Sequence, residues 1–367
     1  MKEKIICCEC GCEVTEETSR HLRGITYCED CYSRHTVVCD SCGERIPREE
    51  AESDGRINLC RGCYEDYYEV CRNCGEFVSN DDAIYCEDAD GYYCETCYEQ
   101  LRSRPIKSYS YKPDPIFYGS GNLFMGVELE IDHGGEYDEN ARALLKVANT
   151  DGQRMYIKHD GSLSEGMELV SHPMSLDYHK NNMNWQDIFN KALEMDYRSH
   201  QTNTCGLHVH VNRSAFGRRY DEIEAAIGRV VHFVELHWNE ALHFSRRTEA
   251  NINRWASRYG ITPTVKETYD KAKNSNLGRY VAVNLENDDT IEFRMFRGTL
   301  RYSTFIATLQ LVYEICRFAI MLTDKELENM SWSEFVAKID PKKTELVEYL
   351  KAKRLYVNEI TTETEEM

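Results

Sequence analysis

Basic residues are scarce in this chain: 44 Lys and Arg stand against 63 Asp and Glu, a formal net charge of −19. The deficit is concentrated at the start, where residues 1–104 hold 24 acidic and 12 basic side chains. Such a surface repels phosphate backbones, which disfavours a nucleic-acid partner. Cysteine is nearly missing from residue 98 onward, with only Cys205 and Cys316 there against fifteen earlier. The two parts are therefore different kinds of object. No uninterrupted apolar run of bilayer length appears; the most apolar helix candidate, around Phe305 to Leu322, is interrupted by Gln310, Glu314 and Arg317. The N-terminus lacks a signal-peptide apolar core, so the expectation is a soluble, cytoplasmic protein without a membrane partner. Neither G-x-x-x-x-G-K-[ST] nor G-x-G-x-x-G occurs, which argues against P-loop and Rossmann nucleotide sites.

What is present in the first third is a repeat. Cys7-x2-Cys10 leads to Cys28-x2-Cys31, Cys39-x2-Cys42 to Cys60-x2-Cys63, and Cys71-x2-Cys74 to Cys94-x2-Cys97, with a period of 32 residues between the first two copies. Each copy opens with a glycine after its second cysteine (Gly11, Gly43, Gly75) and closes with a tyrosine after its fourth (Tyr32, Tyr64, Tyr98). Four thiolates at this spacing suit one tetrahedral zinc, and glycine lets the turn take positive φ and aim amides at sulfur. Three structural Zn²⁺ sites are expected, replacing a core that so few aliphatic residues could not supply. Each would add roughly two negative charges. Cys8, Cys12, Cys86, His21 and His35 are left outside the ligand sets, and a cross-braced pairing of Cys28 and Cys31 with Cys39 and Cys42 stays open. Over residues 7–98 the pattern resembles the second zinc half of LIM domains and related treble-clef ribbons, without the His-containing first half. That resemblance implies closed sites used for protein recognition or spacing.

Residues 105–121 read as a linker, since the surrounding text SRPIKSYSYKPDPIFYGSG holds three of the chain's seven prolines and shows no period. Beyond it, strands are expected at Leu123–Asp132, Arg154–Lys158, Met167–Ser171, Cys205–Arg213, Tyr280–Glu286 and Thr290–Arg297. Helices are expected at Asp138–Ala148, Leu176–Met195 and Tyr220–Ser245, and after Tyr302. The class is α+β with a largely antiparallel sheet. The domain boundaries follow as 122–325 for a catalytic domain, 326–358 for C-terminal helices and 359–367 for a disordered acidic tail.

Alternation of faces with period two puts Glu128 and Glu130, then His208 and His210, then Glu292 and Arg294, on one side of their strands. Val127, Leu129, Ile131, Val209, Val211, Ile291, Phe293 and Met295 take the other. Crowded carboxylates, with Glu168 a further member, are tolerated when hard cations neutralise them; oxygen ligands with an imidazole from His208 or His210 suit Mg²⁺ or Mn²⁺. Arg213, Arg294, Arg297 and Arg301 supply planar forks for phosphate oxygens. Acid, metal and arginine together are the equipment of phosphoryl transfer. His232, His237 and His243 have no zincin spacing and read as packing or surface histidines, and Cys205 as a buried structural thiol.

The ordered set GVELEI, KHDGSL, GMELVSHP, CGLHVHV, YVAVNL and TIEFRMF, over about residues 121–322, resembles the amidoligase family of the glutamine-synthetase-like carboxylate–amine ligases. The resemblance implies a curved antiparallel sheet with helices on one face, ATP, two or more Mg²⁺ ions, and an amide or isopeptide bond made through an acyl phosphate. It implies metal ligation by Glu128, Glu130, Glu168, His208 and Glu292, with His210 a ligand or phosphate contact. Asp160 and Ser162 would line the pocket, Arg294 would bind the transferred phosphate, and Asn284 would contact substrate. Arg213 and Arg297 are further phosphate candidates. Glu168 or Asp160 would deprotonate the incoming amine. The zinc ribbons, no part of such a ligase, would recruit a protein or peptide bearing the carboxyl or amine. Two other readings stand beside this one: an inactive, zinc-scaffolded interaction protein, and a metal-dependent nucleotidyl or phosphoryl transferase.

Overall fold

The computed structural model describes residues 4–202 and 204–356, so the acidic tail and residues 357–358 lie outside what is described. The chain forms two compact units, Met1–Arg104 and Pro105–Met367.

In the first unit the three repeats fold alike. Each opening turn is closed by its glycine N–H on the carbonyl of the first cysteine, at 3.0 Å for Gly11 and Cys7, 2.9 Å for Gly43 and Cys39 and 2.8 Å for Gly75 and Cys71. The glycines sit at φ of 76°, 77° and 78°, a left-handed conformation that costs an L-residue roughly 1–2 kcal/mol. The second cysteine pair opens a short helix in each copy (Glu29–His35, Arg61–Tyr67 and Glu95–Ser103), with Cys28, Cys60 and Cys94 at the N-caps. Apolar burial is slight: Leu59 packs with Cys39 and Cys63, and Tyr93 with Cys71, Cys86 and Cys97. Clusters of that size cannot offset the chain entropy of a hundred residues.

The second unit is α+β. Numbered from its start, its strands are β1 (Ile106–Lys107), β2 (Met125–Ile131), β3 (Met155–Lys158), β4 (Met167–Ser171), β5 (Gly206–Asn212), β6 (Val283–Asn284) and β7 (Thr290–Arg297). They form one sheet in the order β1-β3-β4-β2-β5-β7-β6. Every pairing is antiparallel except β1 with β3. The segment read as linker is thus partly built into the domain, its Ile106 beside Ile157. Val127, Leu129, Ile131, Val209, Val211, Ile291 and Phe293 are all fully buried on one face. Trp185, Phe189 and Phe305 join them in the same core, their rings in contact.

The helix expected over 176–195 is two helices, α2 (Leu176–Asn181) and α3 (Trp185–Glu194), following α1 (Asp138–Ala148). Asn182, Met183 and Asn184 separate them, in keeping with the weak helix propensity of asparagine. The long helix expected over 220–245 is likewise α4 (Tyr220–Leu236) and α5 (Trp238–Ser245). His237 leaves helical dihedrals at φ −104° and ψ 36°, its buried ring held against Phe233 and Trp332. Two unanticipated helices follow, α6 (Glu249–Trp255) and α7 (Val265–Lys273), and the strand expected over 280–286 joins the sheet only at Val283 and Asn284, with Val281 bridged instead to Ser257.

The central helix, α8 (Tyr302–Met321), is long and apolar enough to cross a membrane, contrary to the reading that its polar residues interrupt it; 78% of its most apolar 18-residue stretch is buried inside the domain. Its polar side chains are matched there: Gln310 donates to Glu345 and accepts from the Leu346 amide, and Glu314 is paired with Arg317 and Lys343. This is the core helix of a folded domain. Short helices α9 (Asp324–Glu328), α10 (Trp332–Ala337) and α11 (Thr344–Ala352) complete the unit, the first two opened by Thr323/Glu326 and Ser331/Glu334 capping boxes.

Candidate active site and zinc clusters

The sheet register brings the chemistry together. Glu130 stands opposite Glu168 across β2 and β4, Glu128 opposite His208 across β2 and β5, His210 opposite Glu292 across β5 and β7, and Asn284 opposite Glu292 across β6 and β7. All point away from the apolar core, into a cavity of about 620 Å³. Lys158, Asp160, Ser162, Arg247, Arg279 and Arg294 also line it, with aromatic rings of Tyr109, Trp255 and Tyr280.

Neither histidine at the centre is hydrogen-bonded to the acids around it. His208 Nδ1 lies 3.5 Å from Glu128 and 3.6 Å from Glu292, and His210 Nε2 lies 3.4 Å from Glu128 and 3.8 Å from Glu292. Both nitrogens are buried without a partner among the described residues. Cis ligands about a cation with 2.1 Å bonds stand roughly 3 Å apart and trans ligands roughly 4 Å. Glu128, Glu168 and His208, and Glu128, His210 and Glu292, offer donor atoms within 4.8 Å of one another. The donor set fits oxygen-preferring divalent ions with one or two imidazoles.

The electrostatics agree with a site built for positive charge. Burial and the neighbouring Glu128 push Glu168 well above the ordinary carboxylate range, against the pull of Lys158, whose ammonium is 3.7 Å away. Burial also raises Glu130, despite the Gly206 amide that donates to it. Burial opposes ionisation of Glu128 and Glu292 too, but the charge of His210 and the proximity of His208 outweigh it and hold both below the usual value. His210 is raised in turn, Glu128 overcoming the effect of burial. Without a cation this cluster holds protons that a cation would displace.

Glu292 is fixed by three groups: Asn284 Nδ2 at 2.8 Å, Asn287 Nδ2 at 3.4 Å and the Arg294 guanidinium. Asp160 closes its own turn, accepting from the Ser162 amide at 2.8 Å. Three of the arginines named from the sequence are not among the groups lining this cavity. Arg213 is bound to the carbonyls of Leu285 (2.6 Å) and Asn287 (2.9 Å), and so clamps the loop before β7. Arg297 donates to the carbonyl of Thr202 at 3.2 Å, and Arg301 lines a different cavity. A bulge between Leu207 and Val209 shifts the register of β5 against β7, so Met295 and Phe296 both enter the core and Arg297 comes opposite Gly206. Asn284 is buried against Glu292, a positioning contact as well as a cavity wall.

Several lining residues went unassigned in the sequence. Lys158 sits in KHDGSL and could have been read from its strand period, but Arg247, Trp255, Arg279 and Tyr109 lie between motifs and carry no local signal. Cys205 is buried, and burial pushes its thiol up to about 12, in keeping with a structural role. His232 bonds to Thr268, and His237 packs among rings.

In the first unit the sulfurs of each repeat converge into a set of its own: Cys7, Cys10, Cys28 and Cys31; Cys39, Cys42, Cys60 and Cys63; Cys71, Cys74, Cys94 and Cys97. Neighbouring sulfurs lie 3.7 Å apart for Cys10 and Cys28, 3.9 Å for Cys42 and Cys60, and 4.0 Å for Cys74 and Cys94. A tetrahedron with Zn–S bonds of about 2.3 Å has edges of roughly 3.8 Å. Pairing is therefore within repeats, and the cross-braced alternative is set aside. Amides within the turns, that of Cys10 first, lower the Cys7 thiol to about 6. Against burial, the amides of Cys42 and Cys60 bring Cys39 to about 6, and those of Cys74 and Cys94 do the same for Cys71. The thiolate form that zinc needs is thus favoured at the first cysteine of each set, while burial and the neighbouring thiols raise Cys31, Cys63 and Cys74.

Fold and site together define an α+β domain that gathers carboxylates, imidazoles and guanidinium groups on one sheet face, preceded by four-cysteine modules fit for three zinc ions. The family model described as "Putative amidoligase enzyme" matches residues 133–316, half of the chain, and the chain belongs to that family of amide-bond-forming ligases. The match begins just after β2, so Glu128 and Glu130 enter the site through sheet pairing rather than through the matched segment. No curated protein matches the chain.

Proposed function

We propose that the protein is an ATP-dependent carboxylate–amine ligase that activates a carboxyl group as an acyl phosphate and passes it to an amine. The observation that carries this reading is the convergence of Glu128, Glu130, Glu168, His208, His210 and Glu292 on one cavity that Arg294 also lines. Divalent ions such as Mg²⁺ or Mn²⁺, held by Glu128, Glu130, Glu168, His208 and Glu292, would neutralise phosphate charge there. Arg294, oriented by Glu292 and lining the same cavity, would stabilise the charge that phosphoryl oxygens gain. Glu168 or Asp160 accepts a proton from the amine; both line the cavity, Glu168 buried and Asp160 in the more open position. A carboxylate alone is a poor acyl donor because oxide is a poor leaving group, and phosphorylation removes that obstacle.

Each tetrathiolate set leaves no ligand position for substrate, so the first unit serves recognition: it brings in a protein or peptide carrying the carboxyl or the amine. Reduced cysteines at metal spacing favour a cytoplasmic setting. Product analysis tests the reaction class. ADP and phosphate formed together support the ligase; AMP and pyrophosphate would replace it with nucleotidyl transfer, and no turnover with an intact metal site would favour an inactive scaffold.

A further inference from the structure

The catalytic cavity holds a second guanidinium that no motif marks. Arg247 follows α5 by two residues, where the chain turns through Arg246 in the left-handed region at φ 66°. That turn sends two successive arginines to different places. Arg246 donates to the carbonyls of Arg297 and Gly298, whereas Arg247 enters the cavity.

Arg247 is poorly satisfied where it lies. Its guanidinium makes one long hydrogen bond, from Nη2 to the Phe296 carbonyl at 3.3 Å, and its Nε is buried without a partner. Among the described residues no carboxylate comes within ion-pair distance of it, although Glu130 is near enough to favour its charge. Arg294 is close enough to disfavour that charge, and its own Nε is also buried and unpartnered. Two guanidinium groups thus line one cavity, each with a buried unused donor; Arg294 has Glu292 as its counter-charge and Arg247 has none within ion-pair distance, which an anion in the cavity would remedy. The backbone opposite is cut to fit: a Cβ at Gly206 would stand 2.7 Å from Arg247 Nη2 and 2.8 Å from His208 Nε2.

We propose that Arg247 and Arg294 form a two-guanidinium seat for an oxyanion in the catalytic cavity, and that Gly206 keeps Arg247 in place over the strand. The ligand is a phosphoryl group or a substrate carboxylate, and the inference rests on the ligase reading only for which of the two it is. Arg247 binds the anion with a planar fork that lysine cannot reproduce.

The test uses the full-length chain as wild type, Arg247→Gln, Arg247→Lys and Gly206→Ala, with circular dichroism to follow folding. Thermal stabilisation is measured with three probes separately: inorganic phosphate, ADP with Mg²⁺, and L-glutamate. The expected result is that at least one probe stabilises the wild type and that Arg247→Gln weakens it by about tenfold or more, with Arg247→Lys in between. Gly206→Ala acts in the same direction, since the atoms it displaces are side-chain ends. Loss confined to phosphate and ADP assigns a phosphoryl group; loss confined to glutamate assigns a carboxylate. Binding of every responsive probe, ADP included, that survives undiminished in Arg247→Gln overturns the seat and leaves the ligase reading intact. Arg247-dependent binding of phosphate or glutamate with no response to ADP keeps the seat and removes the ligase reading. No stabilisation of the wild type by any probe overturns the seat. If Gly206→Ala fails to fold, the two Arg247 variants decide.

Discussion

Glu130 and Glu168 face each other across adjacent antiparallel strands, both buried, at 6% and 4% exposure. Like charges directly opposed destabilise a sheet, and here both carboxyls have raised proton affinity. The sign follows from linkage: a raised carboxyl binds more protons folded than unfolded, so the contribution of this pair to metal-free stability is lost as pH rises above about 4.5 through the raised values, and is read as the difference between wild type and a variant of the pair. Divalent ions should reverse that trend and release protons on binding. Glu168→Gln is expected to stabilise the metal-free protein at neutral pH by on the order of 1 kcal/mol, seen as a higher melting temperature, and to abolish the gain from Mn²⁺. Calorimetric melts from pH 5 to 8, with and without metal, check both halves; a metal-induced gain that survives in the variant would remove Glu168 from the ligand set.

Zinc content gives a second prediction. A structural zinc contributes on the order of 10 kcal/mol to folding, far more than the apolar clusters around Leu59 and Tyr93 can supply. Metal analysis is expected to find three zinc ions per chain, matching the three cysteine sets, and two after Cys39→Ser. A strong chelator should unfold the first unit while the second keeps its cooperative transition. Full zinc occupancy in Cys39→Ser would contradict the assignment of that cysteine.

His179 should make the second unit sensitive to acid. It is fully buried, donates from Nε2 to the Met125 carbonyl at 2.8 Å, and accepts at Nδ1 from Trp185 Nε1 at 3.2 Å. A second proton would set Nδ1–H against the indole N–H, and burial lowers the imidazole to about 4. A depressed histidine binds fewer protons folded than unfolded, so stability falls as pH drops from about 6.5 toward 4, by roughly 3 kcal/mol over the window. Histidine titration followed by NMR, alongside urea melts, tests this; a His179 titrating near 6.5 in the folded protein would refute it.

Arg294 and Arg213 should part company under mutation. Arg294→Ala removes a cavity guanidinium and is expected to lower kcat by about a hundredfold or more while the zinc unit stays folded. Glu292→Ala should be equally damaging, since it orients Arg294. Arg213→Gln frees the loop carbonyls at Leu285 and Asn287 and should cost about 1–3 kcal/mol of stability, with a smaller loss of turnover. Equal kinetic defects without a stability change in Arg213→Gln would return it to the cavity.

Much of this arrangement was legible because strand period is a strong local signal. Glu128, Glu130, His208, His210 and Glu292 fall on one face from alternation alone, and the cysteine spacing pointed to three sets, although the pairing within repeats was decided by the sulfur positions. What escaped depended on tertiary facts. The bulge beside His208 put Arg297 out of reach, and nothing local announces it. Arg247 is delivered by a left-handed turn at a non-glycine residue, and Tyr109 by a segment whose prolines read as linker. The breaks at Asn184 and His237 arise from weak propensity and from ring packing, neither of which interrupts a helical period.

The most direct test of the central claim is magnesium-dependent nucleotide binding to the full-length chain, measured by thermal shift with ATP, ADP and a non-hydrolysable ATP analogue, for wild type and Glu128→Gln. At about 100 times its dissociation constant a nucleotide should stabilise the wild type by roughly 2.7 kcal/mol. The expected shift requires Mg²⁺ and is lost in Glu128→Gln. A folded wild-type protein that shows no shift with any nucleotide, with or without Mg²⁺, would contradict the ligase assignment.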